Sequence, residues 1–205
     1  MRIINEETMK EGVTHLTRID PHLREVVSKY GPPPIWGRAP GFPSLLKIIL
    51  EQQVSLASAQ SAYDKLLDTV QKLTPESFLT LSDEELKKIG FSRQKTKYCR
   101  NLAESIQEKH IDLDSLNTMP DEQVAETLTS LNGIGPWTAG IYLLMVLRRP
   151  DVWPRGDLAL LKALKEVKGL DDVPDNETAY EIALAWSPWR AVAARILWHH
   201  YLSTR

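Results

Sequence analysis

The stretch L-N-G-I-G-P-W-T-A-G, Leu131 to Gly140, interrupts a helical region with two glycines one residue apart, a proline and a tryptophan. Upstream, Pro120 to Ser130 reads as a helix, and another is predicted over about 137–148. So sharp a reversal predicts positive φ at Gly133 and Gly135, with Ile134 turned inward to lock the turn. The amides around the glycines then lie at a helix N-terminus, where anions bind favourably, and Pro136 fits the first helical position without supplying an amide. Two readings remain: a plain turn between helices, or a helix-hairpin-helix gripping a DNA phosphate through its backbone.

Working outward, helix signals dominate. Asp20-Pro21 opens a helix that Gly31 closes. G-P-P-P-I-W-G-R-A-P-G-F-P (31–43) is too proline-rich for a regular element. It suggests that the first part of the chain packs away from the middle. Ser44 starts the next helix, and one over about 55–72 is expected to present Leu56, Ala59, Tyr63, Leu66, Leu67 and Val70 on one face. Ser82 to Glu85 is a capping box with Gly90 as its stop. Further helices are predicted at about 92–109, 157–167, 176–186 and 188–202. No period-2 strand appears, so the fold class is all-α.

Composition narrows the classes. The 205 residues include 42% hydrophobic and 25% charged ones and carry a net charge of -2. Global charge therefore gives no sign of nucleic acid. No apolar run approaches the ~20 residues of a membrane span, and the polar N-terminus lacks a secretory h-region. The single Cys99 allows neither an intramolecular disulfide nor a four-cysteine metal or iron–sulfur site. The expected compartment is the cytoplasm, or the nucleus in a eukaryote. Asp157, in D-V-W-P-R-G-D-L-A-L (151–160), follows a loop and reads first as an N-cap. Arg155-Gly156-Asp157 is also the adhesion tripeptide, a chance occurrence in a cytoplasmic chain.

Together these pieces resemble the helix-hairpin-helix DNA glycosylase superfamily, whose signature is L-x-G-x-G followed later by Gly-Asp. Here these are Leu131 to Gly135 and Gly156-Asp157. Within it the chain is similar to the alkylation-repair branch, 3-methyladenine DNA glycosylase II. The similar segments are ILEQQVSLASA (49–59), GFSRQKTKYCRNLA (90–103), LNGIGPWTA (131–139), WPRGDLAL (153–160) and WSPWRAVAARILW (186–198). Larger members carry an N-terminal β-rich domain for which this chain has no room, so it resembles the compact form.

The resemblance implies two helical lobes with a cleft between them, one over 41–149 with the hairpin, the other from 1–40 and 150–205. It implies that Asp157 is the catalytic carboxylate while still capping its helix. Trp137 and Trp186 are the expected pocket faces for an electron-poor alkylated purine. Gln53 matches the position that wedges into the base stack, where large members place an apolar residue. Gly133 and Gly135 would contact DNA through backbone. The backbone carbonyls of Thr129, Leu131 and Ile134 match a monovalent-cation site for Na⁺ or K⁺; no other cofactor is implied. Lys87, Lys88, Arg93, Lys95, Lys97, Arg100 and Lys109 form a basic stretch in which Arg93, Lys95 and Lys97 are the expected phosphate contacts. Bifunctional members place a nucleophilic lysine where this chain has Trp137, so a monofunctional enzyme is implied. The expected partner is double-stranded DNA with alkylated bases, bound by a monomer and not by a membrane protein. The five histidines are expected at the surface or in packing. Alternatives are a non-enzymatic hairpin DNA-binding module and a glycosylase for deaminated or oxidised bases. The range of bases released, from 3-methyladenine alone to 7-methylguanine, 1-methyladenine and hypoxanthine, is left open.

Overall fold

The computed structural model describes residues 2–205, and every regular element among them is helical. Local capping chemistry sets most boundaries. The Asn5 side chain accepts from the Thr8 amide while Thr8 returns a bond to the Asn5 amide, opening α1 (Glu6–Ile19). Asp20 caps α2 (Pro21–Tyr30), which Gly31 ends at φ 81°. After the proline-rich segment come α3 (Phe42–Glu51) and α4 (Leu56–Thr69), then the short α5 (Pro75–Leu79), opened by a reciprocal Thr74–Ser77 box. The Ser82–Glu85 box starts α6 (Asp83–Ile89), and Gly90 stops it at φ 118°. Then follow α7 (Arg93–Gln107), a 3₁₀ turn at Ser115–Asn117, α8 (Asp121–Thr129) and α9 (Pro136–Ile141). The ladder widens into a π turn over Tyr142–Val146. The chain closes with α10 (Leu158–Lys168), α11 (Asn176–Leu184) and α12 (Arg190–Ser203).

The helices divide into two compact units, Arg38–Tyr142 in one and the segments up to Gly37 and Leu143–Arg205 in the other. The second boundary falls at Tyr142 rather than at 149, because Leu144 is already tied to the C-terminal part: its carbonyl accepts from Arg195 at 2.7 Å. No helix among the described residues is long and apolar enough to cross a membrane.

The core of the Arg38–Tyr142 unit is α3, where Phe42, Leu45, Leu46, Ile48, Ile49 and Leu50 are all buried. It packs on α4, α7 and α9. Six of its ten residues are apolar and buried, while Ser44, Lys47 and Glu51 keep partial exposure on the remaining face. Phe42 packs edge-on against Phe78, and Phe78 lies tilted against Phe91, with centroids 5.9 and 5.8 Å apart. Cys99 on α7 is fully buried, and burial pushes its thiol far above the ordinary range. On α4 only Ala59, Ala62 and Leu66 are buried. Leu56 and Leu67 are exposed, so the expected six-residue apolar face is narrower than predicted.

The core of the other unit is α12, buried continuously from Ala191 to Trp198. It packs on α1, α2, α10 and α11. Its Arg195 is fully buried and donates to the carbonyls of Ile35, Ala191 and Leu144. Burial pulls that guanidinium down to about 10. The proline-rich segment is thereby fastened through the Ile35 carbonyl.

Candidate functional site

Within the Arg38–Tyr142 unit, α8 ends at Thr129 and the chain turns into α9 through Leu131–Gly135. The Leu131 amide donates to Leu128 and the Ile134 amide to Leu131, both at 3.1 Å. Ile134 is buried as expected. Gly133 has φ 93°, and a Cβ built there would stand 2.1–2.4 Å from ring atoms of Tyr98. Only glycine fits, on two independent grounds. Gly135 differs. Its φ is -94° and ψ 179°, an ordinary extended conformation, and a Cβ there would meet nothing within 4 Å. The positive φ expected at Gly135 is therefore incorrect: one left-handed residue suffices to reverse the chain, and Gly135 serves as the N-cap of α9.

Gln52, a residue the sequence reading passed over, pins the turn. Its amide nitrogen donates to the Gly133 carbonyl and to Thr138 Oγ1, both at 2.9 Å. Gln53, its neighbour, is exposed and held at φ 55°, followed by exposed Val54 and Leu56. Trp137 lies half-buried in the first turn of α9. Three segments expected at DNA thus meet in this unit: the Gln53 loop, the hairpin and α7, which supplies Tyr98.

The basic stretch separates by face. Arg93 and Lys97 are exposed on α7, as are Lys87 and Lys88 on α6. Lys95 points inward, its Nζ donating to the Leu50 carbonyl at 2.5 Å, and burial lowers its pKa. The last carbonyls of a helix lack intrahelical donors and carry partial negative charge. Lys95 is therefore corrected from a phosphate contact to the cap of α3. Arg100 is likewise engaged, pairing with Asp83 at 2.7 Å and with the Leu81 carbonyl.

In the other unit Asp157 caps α10. Its Oδ1 accepts from the Leu160 amide at 2.8 Å and from Trp198 Nε1 at 3.2 Å. The carboxylate is half-buried, and Leu158 beside it is exposed. Gly156 ahead of it takes φ 83° in open space.

Trp186, expected as a pocket face, is instead core, only 1% exposed. Its indole N–H donates to Asp20 Oδ2 at 2.8 Å, and its ring lies 5.7 Å from that of Trp153. Burial pushes the Asp20 carboxyl up, but bonds from Lys168, Trp186 and the Leu23 amide hold it below the usual carboxylate range. Asp20 joins α2, α10 and the Trp186 turn, and Trp186 is a strut with no face for a ligand. Trp198 reaches Asp157 with its indole N–H. Its one usable sequence signal is that a buried indole N–H needs an acceptor.

His199 lies against the Tyr30 carbonyl and His200 against Glu166. Among the described residues no group of three or more His, Cys, Asp or Glu side chains could hold a metal ion.

Comparison with known proteins bears on both halves. Residues 46–188 match the HhH-GPD superfamily base excision DNA repair protein family. The alkylbase DNA glycosidase-like protein of Schizosaccharomyces pombe is 29% identical over 197 residues, covering 92% of each chain. A Bacillus subtilis relative is 28% identical, and the chain spans only 56% of its length. Among solved structures, a DNA-3-methyladenine glycosidase from Bacillus halodurans is 27% identical with a TM-score of 0.76, covering 98% of this chain and 93% of that one. The Schizosaccharomyces pombe 3-methyladenine DNA glycosylase bound to abasic DNA shares the fold at a TM-score of 0.82 and 23% identity, over 92% of this chain and 95% of that one. With the family match extending over most of its length, from within α3 to just before the last helix, the chain belongs to the HhH-GPD superfamily of base excision DNA repair proteins.

Proposed function

We propose that this chain is a monofunctional DNA glycosylase of base excision repair that hydrolyses the N-glycosidic bond of alkylated purines in duplex DNA. The observation that carries the reading is the Asp157 carboxylate, half-buried and held from two directions, in a chain whose relatives include proteins named DNA-3-methyladenine glycosylase from Schizosaccharomyces pombe and Bacillus subtilis. Glycosidic cleavage inside a stack requires the nucleotide to be flipped out. A purine methylated at N3 or N7 carries positive charge and leaves readily, so a general acid is dispensable. As it departs, positive charge develops on the sugar, and a fixed carboxylate stabilises that charge. Trp137 offers a ring face to the cationic base, a contact worth up to about 2 kcal/mol once desolvated.

Backbone at the hairpin and the exposed Arg93 and Lys97 supply the grip on phosphate. The carbonyls of Thr129, Leu131 and Ile134 suit a hard monovalent cation. Leu131's carbonyl already accepts from Ile134, but a carbonyl has a second lone pair. When bound, the ion adds positive charge behind the phosphate. Trp137 stands where a lyase needs its lysine, so the product is an intact abasic site. The chain acts as a monomer wherever the cell keeps its DNA.

The test is release of methylated purines from duplex DNA by the parent and by Asp157→Asn. Asn still caps a helix but brings no charge. Release is expected to fall on the order of 10²-fold or more with DNA affinity retained. Near-parental release would overturn the assignment of Asp157. Release by neither protein would leave a binding module.

A further inference from the structure

We propose that Asn176 is a positioning residue for Asp157, acting through the Gly156 peptide; the proposal rests on Asp157 being the working carboxylate. Asn176 occupies the first position of α11, but that helix does not need its side chain. Asp175 is the cap, accepting from the Thr178 amide at 2.8 Å. The Asn176 Oδ1 is turned elsewhere, accepting from the Gly156 amide at 2.8 Å.

No neighbouring atom crowds the face of Gly156 where a side chain would stand: it has positive φ and no neighbour within 4 Å of a would-be Cβ. A glycine in open space can rotate, and this hydrogen bond restrains the backbone one residue before Asp157. The rest of the loop is tethered to the same helix and to the start of α12. Arg155 reaches Glu177 at 2.9 Å and lies 4.0 Å over the ring of Tyr180. Arg190 donates to the Tyr180 hydroxyl at 3.1 Å and to both carboxylate oxygens of Asp151. The Arg155 pair is exposed and of the kind worth little. The Asn176 bond acts on the peptide next to the carboxylate. Displacing a reacting group by about 1 Å can cost on the order of 10² in rate.

Gly156 is exposed, so water can replace a lost acceptor. Removing it should therefore disturb geometry more than stability. The experiment compares the parent, Asn176→Ala and Asn176→Asp for single-turnover release of methylated purines from duplex DNA, for DNA affinity and for melting temperature. Asn176→Ala is expected to release base about tenfold more slowly, with affinity and melting temperature near the parent's. Asn176→Asp keeps an acceptor oxygen and should restore most of the rate. Parental rate in Asn176→Ala, or no recovery in Asn176→Asp at equal stability, would overturn the proposal. So would a rate loss in Asn176→Ala matched by equal losses of affinity and melting temperature, the mark of a merely structural role. A parent that releases no base would overturn the glycosylase reading together with this one; an active parent with an unaffected alanine variant would overturn this one alone.

Discussion

The hairpin turn at Leu131–Gly135 and the loop at Asp151–Asp157 both pivot on a glycine with positive φ, and they restrain it by different means. At Gly133 the restraint is shape: the ring of Tyr98 occupies the space a side chain would need, and Gln52 holds the carbonyl. At Gly156 there is no such neighbour, and the restraint is polar, through Asn176, Arg155 and Arg190. A turn locked by packing has one conformation or fails. A loop held by hydrogen bonds and ion pairs can be retuned one bond at a time.

Alanine at each glycine tests this contrast. Gly133→Ala combines left-handed strain with overpacking and should cost on the order of 3 kcal/mol or more. Thermal melting should then fall by about 6–12 °C. The same change in a Tyr98→Ala background should cost less, because the clash is gone and only strain remains. Equal costs in both backgrounds would remove shape from the account. Gly156→Ala carries strain alone, about 1–2 kcal/mol, and its base-release rate should fall further than its stability. A Gly156 variant as unstable as the Gly133 one would erase the distinction. Gly135→Ala should be the mildest, within about 0.5 kcal/mol of the parent. Its effect is expected in DNA affinity across all sequences and in a shallower salt dependence, read by titration at several ionic strengths. Unchanged affinity would reduce the hairpin to a turn.

What the sequence made legible was mostly local chemistry. Asp20-Pro21, Ser82 with Glu85, Gly31 and Gly90 each act within a few residues, and each stands where it was expected. Asp157 as an N-cap belongs with them. The five residues of α5 are too few to show a period, although the Thr74–Ser77 box was present to be read. Fates decided at long range escaped. Lys95 and Lys97 look alike in sequence, but two helical positions separate their directions by more than half a turn. One meets the C-terminal carbonyls of α3 and the other meets solvent. In sequence Trp186 reads as a ring face and Trp198 has no assigned role, and the acceptor of each indole N–H decides otherwise. Asp20 claims one and Asp157 the other.

The burial of Cys99 has a chemical consequence for a protein that would work amid alkylation damage. Methylating electrophiles attack thiolates, and a thiol becomes reactive by ionising and by being reached. The sole sulfhydryl of this chain does neither: it is enclosed on α7 and kept neutral by its surroundings. A methylating electrophile therefore finds no thiolate to consume on this chain.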